Sequence, residues 1–262
     1  MPMWLNASCG TSLMRRILIL LAALGLAACA PTGDSSVSIP TEIVRAPQPS
    51  APRTLVIVLP GRHDEGRGEN ERGMASAIQE AWPRADVLLA SATFAYYRDG
   101  KLVERLHDDI VVPARRDGYR RIWLAGASMG GMGAMLYERA YPGTLAGVVL
   151  FAPFLGDKAL LEEIRSAGGV QRWQPGPLPP QVDATNYQRQ VWKFIREQPA
   201  LAGRVWLACG SDDYLLSGAR LLATTLPDGR FVEMPGGHDW RTWSRIGKTV
   251  FSQIRTLEPD TL

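Results

Sequence analysis

Ser128 lies in the pentapeptide Gly126-Ala127-Ser128-Met129-Gly130, and its spacing from the two glycines is typical of a serine nucleophile. An apolar run rich in strand formers precedes the pentapeptide, and small residues and helix formers follow it from Gly131 to Ala140. Between a strand and a helix, this pattern predicts a sharp turn that exposes the serine hydroxyl. The alternative is a plain tight connection between the two elements, in which the serine has no chemical role.

A histidine is the usual base that removes the proton of such a serine. The chain has three histidines. His107 lies in a predicted amphipathic helix and is interpreted as a surface residue, and His63 lies in the loop after the first apolar strand. His238 follows the last predicted strand, at the sheet edge where we also expect Ser128. His238 is therefore the candidate base, although a residue that only begins the next helix would fit the same position.

The acid that would orient this histidine is expected in the sequence Gly210-Ser211-Asp212-Asp213-Tyr214, again directly after a predicted strand. Asp213, the third residue after the glycine, is preferred. Asp212 remains an alternative, although a short acidic side chain there could instead cap the helix that follows. Asp157, which follows another strand, is a third candidate.

Strands and helices alternate along the part of the chain that carries these residues. Strands are predicted at 54–59, 86–92, 122–125, 147–152, 205–209 and 230–234, and helices near 71–82, 101–116, 131–140, 187–196, 216–226 and 240–254. This alternation predicts an α/β fold with a mainly parallel sheet of about six strands and helices on both faces. The carboxyl ends of parallel strands meet at one edge, which would bring the three candidate residues together.

The chain order Ser128, Asp213, His238, each at the end of a predicted strand, resembles that of the α/β-hydrolase superfamily over roughly residues 54–257. The resemblance implies a serine hydrolase of the esterase type that works through an acyl-enzyme intermediate and needs no cofactor. Lipase, thioesterase, peptidase and acyltransferase activities remain open within this chemistry. No long apolar lid is found, so we expect small or soluble esters as substrates.

The same resemblance implies an oxyanion hole of two backbone N–H groups, supplied by Met129 and Arg62. Members of the family usually have a His-Gly pair before the second donor, whereas this chain has Pro60-Gly61. The two antiparallel strands that begin the family's sheet are not recognisable in residues 30–53, which predicts a reduced sheet.

Aromatic residues after the second predicted strand are candidates for a substrate pocket. Phe94, Tyr96 and Tyr97 could line an acyl or alcohol site, or could simply pack at its rim. His63 and Asp64 could also contact a substrate, although a polar loop needs no such role. Residues 155–200 interrupt the alternation of strands and helices, and they are interpreted either as a small cap over the carboxyl edge of the sheet or as a surface loop.

The N-terminal 29 residues resemble a bacterial lipoprotein signal. Arg15 and Arg16 precede a short apolar run, which is too short to span a membrane, and Leu26-Ala27-Ala28-Cys29 resembles a lipobox. The resemblance implies lipidation of Cys29 and, since Ala30 follows, a place at the outer membrane facing the periplasm. An ordinary secretory signal that releases the protein to the periplasm is the alternative. Because residues 1–13 precede the basic region of this signal, Met14 is the expected first residue of the natural chain.

Residues 30–53 are rich in Pro, Ser and Thr, and we expect them to form a solvated linker between the anchor and a hydrolase domain at 54–262. Without Arg15 and Arg16, the 29 basic residues become 27 against 26 acidic ones, so a nucleic-acid partner is not expected. Three cysteines without ligand spacing argue against a metal site, and Cys209 is interpreted as a buried apolar residue. A non-catalytic envelope lipoprotein that binds a ligand or partner is the competing class of function.

Overall fold

A computed structural model describes residues 33–48, 51, 53–62 and 68–257, and within them seven strands form one sheet in the order β1-β3-β2-β4-β5-β6-β7. The strands are β1 (Thr41–Val44), β2 (Arg53–Leu59), β3 (Ala85–Ala90), β4 (Tyr119–Ala127), β5 (Gly147–Phe151), β6 (Val205–Gly210) and β7 (Phe231–Met234). Only β1 runs antiparallel to its neighbour β3, and the other six strands are parallel. The predicted α/β fold is confirmed, with one strand more than expected.

The central strands owe their position to continuous apolar runs. In β2 every residue after Arg53 is buried, and β5 is buried along its whole length. Strands that read as unbroken apolar runs suit a sheet covered on both faces. The register places Leu59 of β2 beside Gly126 of β4, so the ends of these two strands lie next to each other at the edge where the loops begin.

Helices cover the two faces of this sheet. They are α1 (Glu69–Ala81), α2 (Phe94–Arg98), α3 (Leu102–Arg105), α4 (Val112–Arg116), α5 (Met129–Ala140), α6 (Lys158–Ser166), α7 (Tyr187–Glu197), α8 (Leu216–Ala223) and α9 (Trp240–Leu257). A π-helical turn, Leu106–Val111, joins α3 to α4 into the single helical run that the sequence predicts. One layer pairs α1 with α9, and the other packs α5 against α3 and α7.

The segment before β2 is part of the folded domain. The prediction that residues 30–53 form a linker without strands is wrong for residues 33–48, because β1 pairs with β3 there and Ser35 and Ile39 are buried. The sequence signal is weak for a physical reason. β1 is a four-residue edge strand whose residues alternate between exposed and half-buried, so it needs no apolar run.

A polar cluster joins β2, β3 and β4 to the chain just after β1. Asp86 accepts hydrogen bonds from the Tyr119 hydroxyl at 2.5 Å, from Arg53 at 3.0 Å and from the Ala46 N–H at 2.7 Å. Burial opposes ionisation of Asp86, but these hydrogen bonds outweigh it and hold the pKa of the carboxyl below its usual value. Burial, together with the bond to Asp86, raises the pKa of Tyr119 to about 12.

The predicted signal peptide, its start at Met14 and the candidate lipidation site Cys29 lie outside the described residues. Within the described part of the chain, no helix combines the length and apolar character that a membrane span requires. Cys209 is fully buried in β6, as predicted, and burial raises the pKa of its thiol to about 12.

Candidate active site

Ser128 stands at the junction of β4 and α5 in a strained backbone conformation. Its φ of 53° and ψ of −113° lie in a region that residues with a Cβ rarely adopt. Its N–H donates to the Phe151 carbonyl at 2.8 Å, and its carbonyl accepts from the Phe154 N–H at 2.9 Å. These bonds tie the strained residue to the end of β5, and strain held in this way clusters at functional sites.

The two glycines of the pentapeptide are required by close contacts. A Cβ on Gly126 would lie 2.2 Å from the Gly130 carbonyl oxygen. A Cβ on Gly130 would lie 2.6 Å from the carbonyl oxygens of both Leu59 and Pro60. The turn that carries Ser128 therefore packs directly against the backbone that leaves β2.

Both residues predicted to supply the oxyanion donors line the cavity that holds Ser128. Met129 is the first residue of α5, so its N–H has no acceptor in a preceding helical turn. Arg62 lies two residues after Pro60, and Gly61, Arg62 and Met129 all line one cavity with Ser128. The Arg62 guanidinium lies over the Phe94 ring, 4.6 Å from its centroid.

Asp213 and His238 form a close pair. Nδ1 of His238 lies 2.9 Å from Oδ1 and 2.8 Å from Oδ2 of Asp213. The Asp213 side chain has no exposed surface, and the side chain of His238 is 16% exposed. A carboxylate only accepts hydrogen bonds, so this pairing puts the ring proton on Nδ1 and leaves Nε2 able to accept one.

Two loops come together to make this pair. A Cβ on Gly210 would lie 2.2 Å from the carbonyl oxygen of Gly236, so the loops after β6 and β7 touch through their backbones. The N–H of Asp212 donates to the same carbonyl oxygen at 2.9 Å. Asp213 is held further by the Leu215 N–H, which donates to its Oδ1 at 2.8 Å.

The other acid candidates do not contact His238. Asp212 is exposed, and its carboxylate accepts a hydrogen bond from Ser211 at 3.4 Å. Asp157 caps α6, where it accepts the Leu160 N–H at 2.9 Å. Of the three candidates, the structure places only Asp213 beside the histidine.

Tyr214 stands next to both Ser128 and His238. Its ring centroid lies 4.3 Å from that of His238, and its hydroxyl lies close enough to the Ser128 side chain to interact with it. Desolvation and the Asp213 charge raise the pKa of Tyr214, and the interaction with Ser128 opposes this rise. Tyr214 is 73% exposed, and it lines the same cavity as Ser128 and His238.

Trp243 of α9 packs edge-on against the other side of the His238 ring, with 4.8 Å between the ring centroids. His107, interpreted from the sequence as a surface residue, is instead half-buried and stacks on Tyr141 at 3.7 Å. Its Nδ1 lies 3.0 Å from the Tyr137 hydroxyl. The surface interpretation is wrong because α5 and the chain after it supply aromatic partners that the local helical pattern does not reveal.

The predicted pocket residues have different roles. Phe94, Tyr96 and Tyr97 all line the cavity, but the Tyr96 hydroxyl donates to the carbonyls of Val37 and Ser38, each at 3.3 Å. Tyr96 thus anchors the N-terminal segment through its polar end. The Tyr97 hydroxyl is buried, and it has no hydrogen-bond partner in the described part of the chain. His63 lies outside the described residues.

The insertion at 155–200 contributes one wall of the cavity. Residues 182–184 and Tyr187 line it, and Phe154 lies just before the insertion. The remainder of the insertion carries α6 and α7, of which the sequence predicts only the second. Part of the insertion therefore borders the cavity that holds Ser128.

Several lining residues are not recognised in the sequence. Tyr214 belongs to the motif that contains Asp213, but nothing in its local pattern indicates a contact with Ser128. Met132 and Leu136 follow Met129 at spacings of three and four, which places them on one helical face. That spacing is a usable signal, whereas Val182 lies in an irregular segment that offers none.

Comparisons with known proteins agree with this architecture. The family model described as serine aminopeptidase, S33, matches residues 97–200, which include the serine turn. No curated protein sequence matches the chain. The matched range covers less than half of the chain and excludes Asp213 and His238.

Solved structures match over most of the chain at low sequence identity. Est1E from Butyrivibrio proteoclasticus is 18% identical with a TM-score of 0.55, over 83% of this chain and 93% of that one. The S-formylglutathione hydrolase FrmB from Staphylococcus aureus is 15% identical with a TM-score of 0.54, over 84% of each chain. A thermophilic esterase from Thermogutta terrifontis is 19% identical with a TM-score of 0.52, over 84% of this chain and 93% of that one. Together with the sheet order and the strained serine turn, these likenesses identify the fold as that of the α/β-hydrolases.

Proposed function

We propose that this protein is a serine hydrolase that cleaves carboxylic esters through an acyl-enzyme intermediate. The observation that carries the proposal is the arrangement around one cavity. Ser128 is held in a strained turn there, and the same cavity is lined by His238, whose Nδ1 lies 2.8 Å from the buried Asp213 carboxylate. The esterases among the structures of the same fold, and the S33 family match, support this class of chemistry.

In the proposed mechanism, Ser128 Oγ attacks the ester carbonyl while Nε2 of His238 takes its proton. Asp213 holds the imidazole in the required tautomer and stabilises its protonated form. The N–H groups of Met129 and Arg62 stabilise the oxyanion, and each such donor typically contributes ~3 kcal/mol to lowering the barrier. His238 then protonates the leaving oxygen, and water releases the acyl group from the serine.

A fluorophosphonate probe tests the nucleophile directly, because it labels only an activated serine. We expect covalent labelling of the wild-type protein, no labelling of Ser128→Ala, and a sharp loss in His238→Ala. Ser211→Ala is the control and should label like the wild type, because Ser211 is exposed. Equal labelling of Ser128→Ala and wild type would reject Ser128 as the nucleophile.

The two neighbouring aspartates offer a matched test of the acid. Asp213→Asn should lower kcat for a p-nitrophenyl ester by about a thousandfold or more, since an amide cannot hold the same histidine tautomer. Asp212→Asn should change kcat less than about twofold, because Asp212 is exposed and makes no contact with His238. Equal effects of the two substitutions would contradict the assignment.

We also propose that Cys29 carries a lipid that anchors the protein to the bacterial outer membrane, facing the periplasm. This proposal is supported by the sequence pattern around Cys29 alone. Metabolic labelling with palmitate should mark the full-length chain, and Cys29→Ser should abolish the label, whereas Cys209→Ala should retain it. Labelling that survives in Cys29→Ser would favour a released periplasmic protein.

A further inference from the structure

The cavity at Ser128 extends as a groove along one face of α5. Met129, Met132, Leu136 and Ala140 all line it, at successive spacings of three, four and four residues. Residues at this spacing lie above one another on one face of a helix. One face of the helix that begins at the nucleophile therefore forms a floor that leads away from it.

The other walls of this groove are also largely apolar. Tyr97 of α2 and Leu102 and Val103 of α3 line one side. Phe154 and Val182, next to and within the insertion, line another, and Val182 is a large apolar residue that remains 37% exposed. Exposed apolar side chains that meet at a cavity suit an apolar ligand more than water.

The groove is much larger than a short ester requires. The cavity has a volume of about 1380 Å³. An α-helix rises about 1.5 Å per residue, so the floor from Ser128 to Ala140 is roughly 18 Å long. An extended alkyl chain advances about 1.25 Å per carbon, from ordinary C–C bond lengths and angles, so this floor matches roughly 14 carbons.

The position of the histidine indicates which part of an ester enters the groove. In the proposed mechanism, His238 gives its proton to the leaving oxygen, so the alcohol departs on the histidine side. His238 and Ser128 both contact Tyr214 at the start of α5, whereas the groove runs toward the far end of that helix. The groove is thus placed to hold the acyl chain.

The far end of the groove, at Ala140, adjoins the charged Arg139, which donates to Gln190 at 3.0 Å. Other charged groups of the lining also have partners: Arg98 lies 2.6 Å from Asp99, and Asp183 accepts the Thr185 N–H at 2.8 Å. An alkyl chain that extended past this end would leave the apolar walls. The length of the apolar stretch therefore limits how many carbons of an alkyl chain can be buried favourably in the groove.

We propose that the groove binds the acyl chain of a fatty acid ester, and that the site favours chains of about 10 to 14 carbons. This inference rests on the proposed serine hydrolase function and names its substrate class. It replaces the expectation of small or soluble esters, which depended on the absence of a long apolar lid. The apolar surface comes instead from α5 and from the elements packed beside it.

A series of p-nitrophenyl esters from acetate to palmitate, each below its micelle concentration, tests the inference through kcat/KM. In the wild-type enzyme, kcat/KM for the laurate should exceed that for the acetate by at least about a hundredfold, since each buried methylene is favourable. A series of alkyl acetates with growing alcohols should show no comparable rise. A preference for acetate over laurate, or a rise on the alcohol side only, would overturn the proposal.

Two substitutions along the floor add a geometric test. Leu136→Trp blocks the middle of the groove and should lower the laurate-to-butyrate ratio of kcat/KM at least tenfold. Ala140→Trp lies at the exposed far end and should lower only the ratios for myristate and palmitate. Leu226→Trp is the control, because Leu226 is similarly half-buried but does not line this cavity, and its profile should match the wild type.

The two substitutions should affect different chain lengths, which a general loss of folding or activity would not produce. Identical chain-length profiles for Leu136→Trp, Ala140→Trp and wild type would overturn the groove assignment. Loss of Ser128-dependent hydrolysis for every ester would instead be a failure of the proposed function, and the two outcomes are distinguishable in the same data.

Discussion

Single glycine contacts position the candidate catalytic residues. At Gly210 an alanine Cβ would lie 2.2 Å from the Gly236 carbonyl oxygen, so Gly210→Ala has to separate the loops that carry Asp213 and His238. We expect kcat to fall by about a hundredfold or more, because displacements near 1 Å have such effects on aligned groups. The melting temperature should fall as well.

The matched control for this prediction is Gly203→Ala. A Cβ on Gly203 meets open space, and its backbone conformation suits other residues, so both kcat and melting temperature should stay at the wild-type level. Steady-state kinetics and thermal unfolding on the two variants check the prediction. A Gly210→Ala enzyme within twofold of wild-type kcat would show that the backbone contact does not hold the site.

Tyr214 offers a second prediction, because its ring and its hydroxyl contact different partners. The hydroxyl lies close to Ser128, where a hydrogen bond to the serine would compete with proton transfer to His238. Tyr214→Phe removes only that interaction, worth about 1 kcal/mol as a hydrogen bond, so kcat/KM should rise by up to roughly fivefold. Tyr214→Ala also removes the ring that packs on His238, so the imidazole is less well held and kcat/KM should fall.

Kinetics with p-nitrophenyl butyrate measure both Tyr214 variants. The opposite directions of the two effects are the diagnostic result. Equal losses in the phenylalanine and alanine variants would mean that the hydroxyl assists the reaction instead of restraining the serine.

At this scale the sequence predicts types of residue better than contacts. Ser128, Asp213 and His238 are recognisable because each follows a strand and because glycines mark the turns. Tyr214 is not, since its contact with Ser128 depends on how the loops after β4 and β6 approach each other. The local pattern favours Asp213 by its spacing from Gly210 but does not exclude Asp212. The structure separates them, since Asp213 is buried against His238 and Asp212 is exposed.

Among the secondary-structure elements, the cluster around Asp86 fastens the amino ends of β2 and β4 to β3. Asp86→Asn should lower the free energy of unfolding by about 2 kcal/mol at pH 7, since hydrogen bonds to a charged group are lost. The pKa of Asp86 is lower in the folded protein than in the unfolded chain. Its stabilisation is therefore complete above the unfolded pKa, near 4, and is lost as the pH falls through the folded value.

Urea unfolding at pH 7 and at pH 3 measures this dependence. The difference between wild type and Asp86→Asn should be largest at pH 7 and should shrink at pH 3, where the wild-type carboxylate loses its advantage. Asp108→Asn is the control, because Asp108 is exposed on the π-helical turn, and it should have little effect at either pH. A difference that grows on acidification would contradict the assigned pKa direction.

The elements predicted well are those with strong periodicity or unbroken apolar runs. The parallel strands and α9 fall within a few residues of their predicted limits. Strands buried on both faces read as unbroken apolar runs, and a helix buried on one face shows a helical period of apolar residues. β1 and α6 are missed for a different reason. β1 is a short edge strand with no apolar run, and α6 lies in a segment that resembles an insertion because no strand follows it directly.

In the molecule as a whole, residues 33–48 hold the elements that form one side of the cavity. Ser35 donates to Asp99 at 2.7 Å, and the Ile39 N–H donates to Asp109 at 3.3 Å. The carbonyls of Val37 and Ser38 accept from the Tyr96 hydroxyl at the same wall. A segment that the composition predicts to be a solvated linker thus supports the helices beside the candidate active site.

Two aliphatic residues of this segment give a matched test, since Ile39 is 4% exposed and Val37 is 51% exposed. Ile39→Ala should lower the free energy of unfolding by about 2 to 4 kcal/mol, because it removes methylenes from a packed site. Val37→Ala should change it by less than about 0.5 kcal/mol, because its side chain is already in water. Urea unfolding of the purified proteins measures both values. If the segment were a solvated linker, the two substitutions would be equally neutral, so a clear difference between them would place residues 33–48 within the cooperative unit that holds the cavity wall.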